Sequence, residues 1–324
     1  MDKAIGLIAI LRTLITQSDK SHPISRTDIT KRMEERHDVT MERRTFYKAR
    51  SFLDCLGFST HYDESKKGYY LDPPILERCE ELMLWNAIHS ARFLSKAETE
   101  RLFKKLEHFC SAHHYDEFKE GVYMPNPKKT PNNETLRNIE IAEQAILHKS
   151  KMSFYYLHFN DDLELEKKDD IIRIIEPRYI VYADGRPYLI ATGRKEHHIT
   201  HYRLDRISKA CLLNELSNPD FNMEDAYVYA NNKLFMFSGE MIKATIKCKK
   251  RVLDSMVDIF GTDLILFTPD SDHYEFTVEV NRNGILFLGQ QFLDAIEIMY
   301  PESVREEMTK RLKAAQEAYV QKIT

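Results

Sequence analysis

The 324-residue sequence has no apolar run approaching the ~18 residues that a membrane span requires. Its first residues, Met1-Asp2-Lys3-Ala4-Ile5, lead into an amphipathic pattern with no signal-peptide core or cleavage site, so a cytoplasmic protein is expected. Cysteine is sparse. Cys55, Cys79, Cys110, Cys211 and Cys248 are odd in number, scattered and without a C-x-x-C pair, which argues for reduced thiols and against a disulfide frame or zinc site. Catalytic signatures are also missing: no P-loop, G-x-G-x-x-G, H-E-x-x-H, G-x-S-x-G or kinase set occurs. Neither an enzyme nor a bound cofactor is expected. His108, His113 and His114 are spaced off any common helical face, and His197 and His201 would sit ~13 Å apart on a strand, so no metal is expected at either group. A large excess of one charge is absent too, the net being −4.

Hydrophobic content of 43% with 30% charged residues is that of an ordinary globular chain, and the length suits two or three domains. Charge is unevenly placed. Residues 26–50 carry eight Lys/Arg against five Asp/Glu, a local +3 that matters to any partner touching one face. Periodicity predicts a first helix with Ile5, Leu7, Ile8, Leu11, Leu14 and Ile15 on its apolar side. A short second helix starts at an N-cap Ser25 with Asp28 three residues on. Thr40 is placed to cap a third helix, with Phe46, Ala49, Phe52, Leu53 and Leu56 inward. Its other face carries Thr40, Glu42, Arg43, Arg44, Tyr47 and Lys48. Two strands follow, joined by a turn bearing Lys66 and Lys67. This order reads as a winged helix-turn-helix over residues 1–72, and Thr40, Arg43, Arg44, Tyr47, Lys48, Lys66 and Lys67 are the candidate DNA contacts.

Residues 73–132 read as a helical connector. Pro73-Pro74 is taken to open a helix at Ile75 containing Leu82, Met83, Trp85, Ala87, Ile88 and Phe93. Ser95-Lys96-Ala97-Glu98 is a capping box opening the next helix. So much apolar surface suggests domain docking and a homodimer, which would match a repeated DNA half-site.

The most informative stretch is EPRYIVYADGRPYLIATGRKEHHITHYRLDRI, residues 176–207. Asp184-Gly185 is a two-residue hairpin signal between strand-like runs, and with the alternating segments from residue 151 onward about five short antiparallel strands are expected, favouring a small open barrel. Pro187-Tyr188-Leu189 followed by Tyr202-Arg203-Leu204-Asp205-Arg206-Ile207 resembles the WYL domain of bacterial transcription regulators, with Pro187 standing where that family carries Trp. The resemblance implies an Sm-like barrel over residues 133–217. It also implies that Tyr155, Tyr188, His201, Arg203 and Arg206 face a ligand. Arginine suits bidentate binding of phosphate and tyrosine suits stacking, so an anionic ligand, a nucleotide or single-stranded nucleic acid, is expected. Residues 238–324 read as strand-helix-strand-strand-helix-strand, a ferredoxin-like layer similar to the extension that often follows WYL domains.

The expectation is an α+β multidomain DNA-binding regulator, a repressor more than an activator, whose barrel senses a ligand. The alternatives are a non-catalytic nucleic-acid-binding accessory subunit and a protein-binding adaptor.

Overall fold

The computed structural model describes residues 3–121, 127–193, 199–218, 234–236 and 240–320. Contacts divide the chain into two compact units, Met1–Leu136 and Arg137–Thr324.

The first unit begins with α1 (Lys3–Gln17), α2 (Arg26–His37) and α3 (Arg43–Cys55), then the antiparallel pair β1 (Thr60–Asp63) and β2 (Gly68–Leu71). Ile10, Leu14, Ile29, Met33, Phe46 and Leu53 form the buried centre. The inward face of α1 runs through Ala9, Ile10, Thr13 and Leu14. Ile5 and Ile8, expected on that face, are exposed. At ~100° per residue, Ile8 lies about 160° around the helix from Ile10, so both cannot point inward. The α2 N-cap is as expected: the Ser25 hydroxyl accepts from the Asp28 N–H at 3.1 Å. Helix α2 ends at Asp38 in the left-handed region, and its successor Val39 is buried with its N–H on Met33 O. Thr40 does not cap α3. That helix starts three residues later, with Glu42 at the N-cap position making no side-chain cap bond. Phe52 and Leu56 are exposed, which narrows the buried stripe to Phe46, Ala49 and Leu53. Gly68 is required by close approach: a Cβ there would lie 2.6 Å from the Pro23 carbonyl carbon, where β2 bridges Ile24 through Tyr69.

Three helices follow, α4 (Arg78–Ser90), α5 (Lys96–Leu106) and α6 (Ala112–Gly121). Helix α4 starts at Arg78, not Ile75, because Glu77 and Glu80 form a reciprocal capping box there and the tandem prolines disfavour helical geometry just before them. The Ser95–Glu98 box forms as read from the sequence, at 3.2 and 3.0 Å. The second oxygen of Glu98 accepts the Leu136 N–H at 2.9 Å. Trp85 is buried against Phe103, Tyr115 and Cys110.

In the second unit, α7 (Thr135–Leu147) leads into β3 (Ser150–Phe159), β4 (Leu165–Lys167), β5 (Arg173–Ala183), β6 (Arg186–Gly193), β7 (Ile199–Arg203) and β8 (Ile207–Leu216). The sheet order is β4-β3-β5-β6-β7, with β8 on β3. Strands β7 and β8 are thus far apart in the pairing path. A single 3-10 turn, Leu204–Arg206, joins them, and three residues reach only ~11 Å. The sheet must therefore curl into a half-barrel, which buries Met152, Phe154, Leu189, Ala191 and Leu204 against α7 residues Ala142 and Ala145. Six strands stand where five were expected. Pro177 sits at a bulge in β5, between Pro177 and Tyr179. Only Leu165–Lys167 of the expected strand 161–168 forms, and Leu163 is exposed in a turn at φ 64°.

The chain then forms β9 (Met241–Lys249), α8 (Leu253–Phe260), β10 (His273–Asn281), α9 (Arg282–Gln291), β11 (Ile296–Tyr300) and α10 (Glu302–Val320). Gly261 ends α8 at φ +85°, a conformation that excludes most side chains. Among the described residues the sheet has three antiparallel strands, ordered β10-β9-β11. The expected ferredoxin-like pattern needs a fourth. Residues 263–267 do not supply it, because they make only one bridge, Phe267 to Glu275.

Candidate functional site

Two basic clusters stand out, one in each unit. In the first unit, burial of Phe46, Ala49 and Leu53 turns Arg43, Arg44, Tyr47 and Lys48 to solvent, since positions i, i+1, i+4 and i+5 share the opposite side of a helix. Thr40 is exposed in the turn before it. Arg44 and Lys48 make no ion pair among the described residues, and the Arg43 guanidinium lies 5.9 Å from the Tyr47 ring centroid. Tyr47 is anchored by its hydroxyl: hydrogen bonds with Tyr69 and then Arg43 hold its pKa below the ordinary tyrosine value. Burial, with the Tyr47 contact, pushes Tyr69 the other way. At the hairpin tip the two lysines differ. Lys66 donates to the Ser21 carbonyl at 2.6 Å, whereas Lys67 is exposed in the left-handed region at φ 54°. Asp63 organises this tip by accepting from Ser65 and Lys66 N–H groups, both at 2.9 Å.

In the second unit, strand register decides which residues meet. Tyr188 pairs with Arg203 and Ile190 with His201, so Tyr188, His201 and Arg203 lie on one face. Leu189, Ala191 and Tyr202 lie on the other, against the core. Tyr188 and His201 meet edge to face at 6.2 Å. Arg203 is not free. Its Nε and Nη2 donate to the two oxygens of Asp205 at 3.0 and 2.7 Å, and Asp205 is 1% exposed. Arg186 approaches the same carboxylate at 3.6 Å. Burial lowers the pKa of Arg203, but the Asp205 contacts outweigh it and leave the guanidinium more basic than usual. Arg206 is the reverse case. Its guanidinium lies 4.2 Å from the Phe159 ring, and burial followed by repulsion from Arg203 pulls its pKa down. Tyr188 is pushed up by burial. Tyr155 faces a different cation, with Lys167 Nζ 4.0 Å from its ring. Two guanidiniums, those of Arg203 and Arg186, thus meet one buried carboxylate, and Arg206 is near enough for Arg203 to repel it, an arrangement suited to an anion.

Two contributors were not singled out from the sequence. Arg186 follows the hairpin glycine, and only pairing shows that it shares a face with Tyr188. Asn138, fully buried on α7, donates to the carbonyls of Leu204 (3.0 Å) and Ile207 (2.7 Å), fixing the 3-10 turn that carries Asp205 and Arg206. A buried Asn on an apolar helix face was the available signal. His197 and the residues around it, 194–198, lie outside the described residues. Among the described residues no group of three His, Cys, Asp or Glu could hold a metal ion, and no helix is long and apolar enough to cross a membrane.

Residues 137–212 match the WYL domain family, so the half-barrel with its α7 helix is a WYL domain. No curated protein matches the chain. Among solved structures, similarity extends to the proteasome accessory factor B/C (PafBC) of Arthrobacter aurescens. The two share 16% identity over 96% of this chain and 47% of that one, with a TM-score of 0.26. A CRISPR Cas-related protein shares 15% identity over 90% of this chain and 77% of its own length, with a TM-score of 0.41. The chain spans about half the length of the PafBC structure. At these scores neither likeness fixes the domain arrangement.

Proposed function

We propose that this chain is a DNA-binding transcription regulator whose WYL domain binds an anionic ligand of the nucleotide or nucleic-acid-fragment class. The observation that carries the reading is the solvent face of α3, where Arg43, Arg44 and Lys48 have no carboxylate partner among the described residues. Unpaired cations on a helix that follows a capped helix and a tight turn are what a major groove and its phosphates recruit. Lys67 at the hairpin tip adds a cation placed as in a wing. The arginines around Asp205 supply the anion subsite, with Arg203 held in orientation and Arg206 left for a ligand phosphate. Ligand occupancy would act by favouring one arrangement of the chain over another. We read the regulator as a cytoplasmic homodimer and a repressor, and as carrying no catalytic activity of its own.

The test is fluorescence anisotropy of the protein on its own upstream DNA against a scrambled duplex, over a salt series. Sequence-selective binding with a steep salt slope is expected. Arg43→Ala with Arg44→Ala should weaken binding and reduce the slope by about 2, near 1 per lost phosphate contact. No binding to any duplex at low salt would overturn the reading. The adaptor alternative rests on Phe52 and Leu56, 63% and 64% exposed on and just after α3, a surface that suits a protein partner.

A further inference from the structure

Helix α6 of the first unit presents one histidine to two carboxylates that come from different segments. His114 Nδ1 lies 2.7 Å from Glu81 Oε2 on α4, and its Nε2 lies 3.7 Å from Asp19 Oδ2 in the loop after α1. Both acids are nearly sealed from water, with side chains 5% and 8% exposed. Asp19 is also held by the Ser111 hydroxyl at 2.8 Å and by His22 Nδ1 at 3.1 Å, and His22 stacks on His113 at 4.2 Å. The cluster forms one wall of a cavity of about 370 Å³, whose other charged lining groups are Lys20, Asp72, Glu77 and Arg78. Arg78 is drawn away from the acids by Glu117 at 2.7 Å. Among the described residues, His114 is thus the side chain that joins both buried acids.

We propose that His114 is a proton-dependent clamp that ties the helix-turn-helix segment, through Asp19, to the helices that follow it, through Glu81. Two acids taken out of water at close range require a cation between them. An imidazolium fits that place: its Nδ1 donates to Glu81 and its charge faces Asp19 across 3.7 Å, an attraction that a neutral imidazole no longer supplies, leaving Asp19 to its bonds from Ser21, His22 and Ser111. The hydrogen bond that His114 donates to Glu81 outweighs the cost of burial and holds the pKa of His114 above the ordinary histidine value. Burial raises Asp19, but its bonds from Ser111 and His22, with the charge on His114, overcome that and hold it below the ordinary carboxylate value. The signs set the window. A histidine with a raised pKa stabilises fully below the unfolded value of ~6.5 and loses that contribution as pH rises through its folded value. An aspartate with a lowered pKa contributes above ~3.8 and loses it as pH falls through its folded value. The clamp is closed between these limits and opens on the alkaline side. Histidine is the one side chain that titrates near neutrality without extreme perturbation, so the device works in the range a cell traverses.

The test uses the full chain and does not depend on DNA binding, so it stands or falls separately from the regulator reading. Imidazole NMR of the wild type should give His114 a titration midpoint above ~6.5, and Glu81→Gln should bring it down. Over the same titration, the protection of amides in the loop around Asp19, taken relative to their intrinsic base-catalysed exchange rates, should fall as His114 deprotonates, and in His114→Gln that change in protection should be lost. The wild-type thermal midpoint should fall by on the order of ~3 °C across the titration, with a flat profile in His114→Gln. A His114 midpoint at or below ~6.5 in the wild type would overturn the proposal, with no variant needed. Loop protection that follows pH equally in His114→Gln would overturn it as well.

Discussion

Replacement of Asp205 by Asn isolates the contact on which the WYL-domain arginines depend. The substitution keeps the volume of the side chain and removes its charge, leaving an amide that cannot accept from both Arg203 Nε and Nη2. Asp205 is 1% exposed and takes those two bonds at 3.0 and 2.7 Å, with Arg186 at 3.6 Å. Breaking a buried pair from one side costs ~3–5 kcal/mol. Arg203 and Arg186 keep 23% and 30% side-chain exposure, so water takes back part of that loss. The loss for Asp205→Asn is then about 2–3 kcal/mol. At ~2–4 °C per kcal/mol, the transition of the second unit should move down by roughly 4–12 °C. Urea unfolding should give the same free energy with an unchanged slope. Arg203→Met should lose a comparable amount, and the double variant much less than the sum, because each residue is costly mainly when the other is left behind. Since the carboxylate is buried, the coupling should persist in high salt. A loss below ~0.5 kcal/mol for Asp205→Asn, or additive losses in the cycle, would refute the coupling between Arg203 and Asp205.

Other perturbations test the frame around the two clusters. Asn138→Ala removes two donors to the buried carbonyls that flank the Leu204–Arg206 turn and should cost about 1–3 kcal/mol in chemical denaturation. The same variant should raise amide exchange in residues 204–207 before it affects β9–β11. Ser95→Ala removes one half of the α5 capping box and should cost about 1 kcal/mol, read as a lower thermal midpoint of the first unit with an unchanged second one.

Legibility followed periodicity and local chemistry. Helix ends marked by reciprocal side-chain bonds, at Ser25 and at Ser95, could be read because the cap is a contact between residues three apart. Starts without a Ser or Thr cap were misplaced. Helix α3 begins at Arg43 without help from Thr40, and α4 begins at Arg78, where its capping box uses Glu77 in place of the usual Ser or Thr and so lacked the familiar signature. Strand β8 was missed for a physical reason. Register shifts at Ser150/Met152 and Ser153/Tyr155 and a left-handed Lys209 break the two-residue alternation that marks a strand. The basic face of α3 was legible because helical spacing alone selects it. The partner of Arg203 was not: only the 3-10 turn shows that the Asp205 carboxylate is presented to the strand before it.

The two clusters place their cations in opposite physical states, and this bears on what each can do. On α3, Arg44 and Lys48 are solvated and have no carboxylate partner among the described residues, so binding an anion there loses no internal ion pair. Such a surface gives affinity that rises as salt falls, with little geometric demand. Beside Asp205, Arg203 already holds a carboxylate with two of its donors, and the half-buried Arg206 rests on Phe159. A ligand there must either use the donors that remain on a guanidinium fixed in place or displace Asp205, which is too buried to be left without a cation. The first route costs less, because it adds an anion to a site where Arg186, Arg203 and Arg206 outnumber Asp184 and Asp205. It also demands shape, since the guanidinium planes do not turn to follow the ligand. The α3 face is therefore suited to a polyanion held through many phosphates, with any choice of sequence left to contacts beyond charge, and the Asp205 cluster to one small anion met in a single pose.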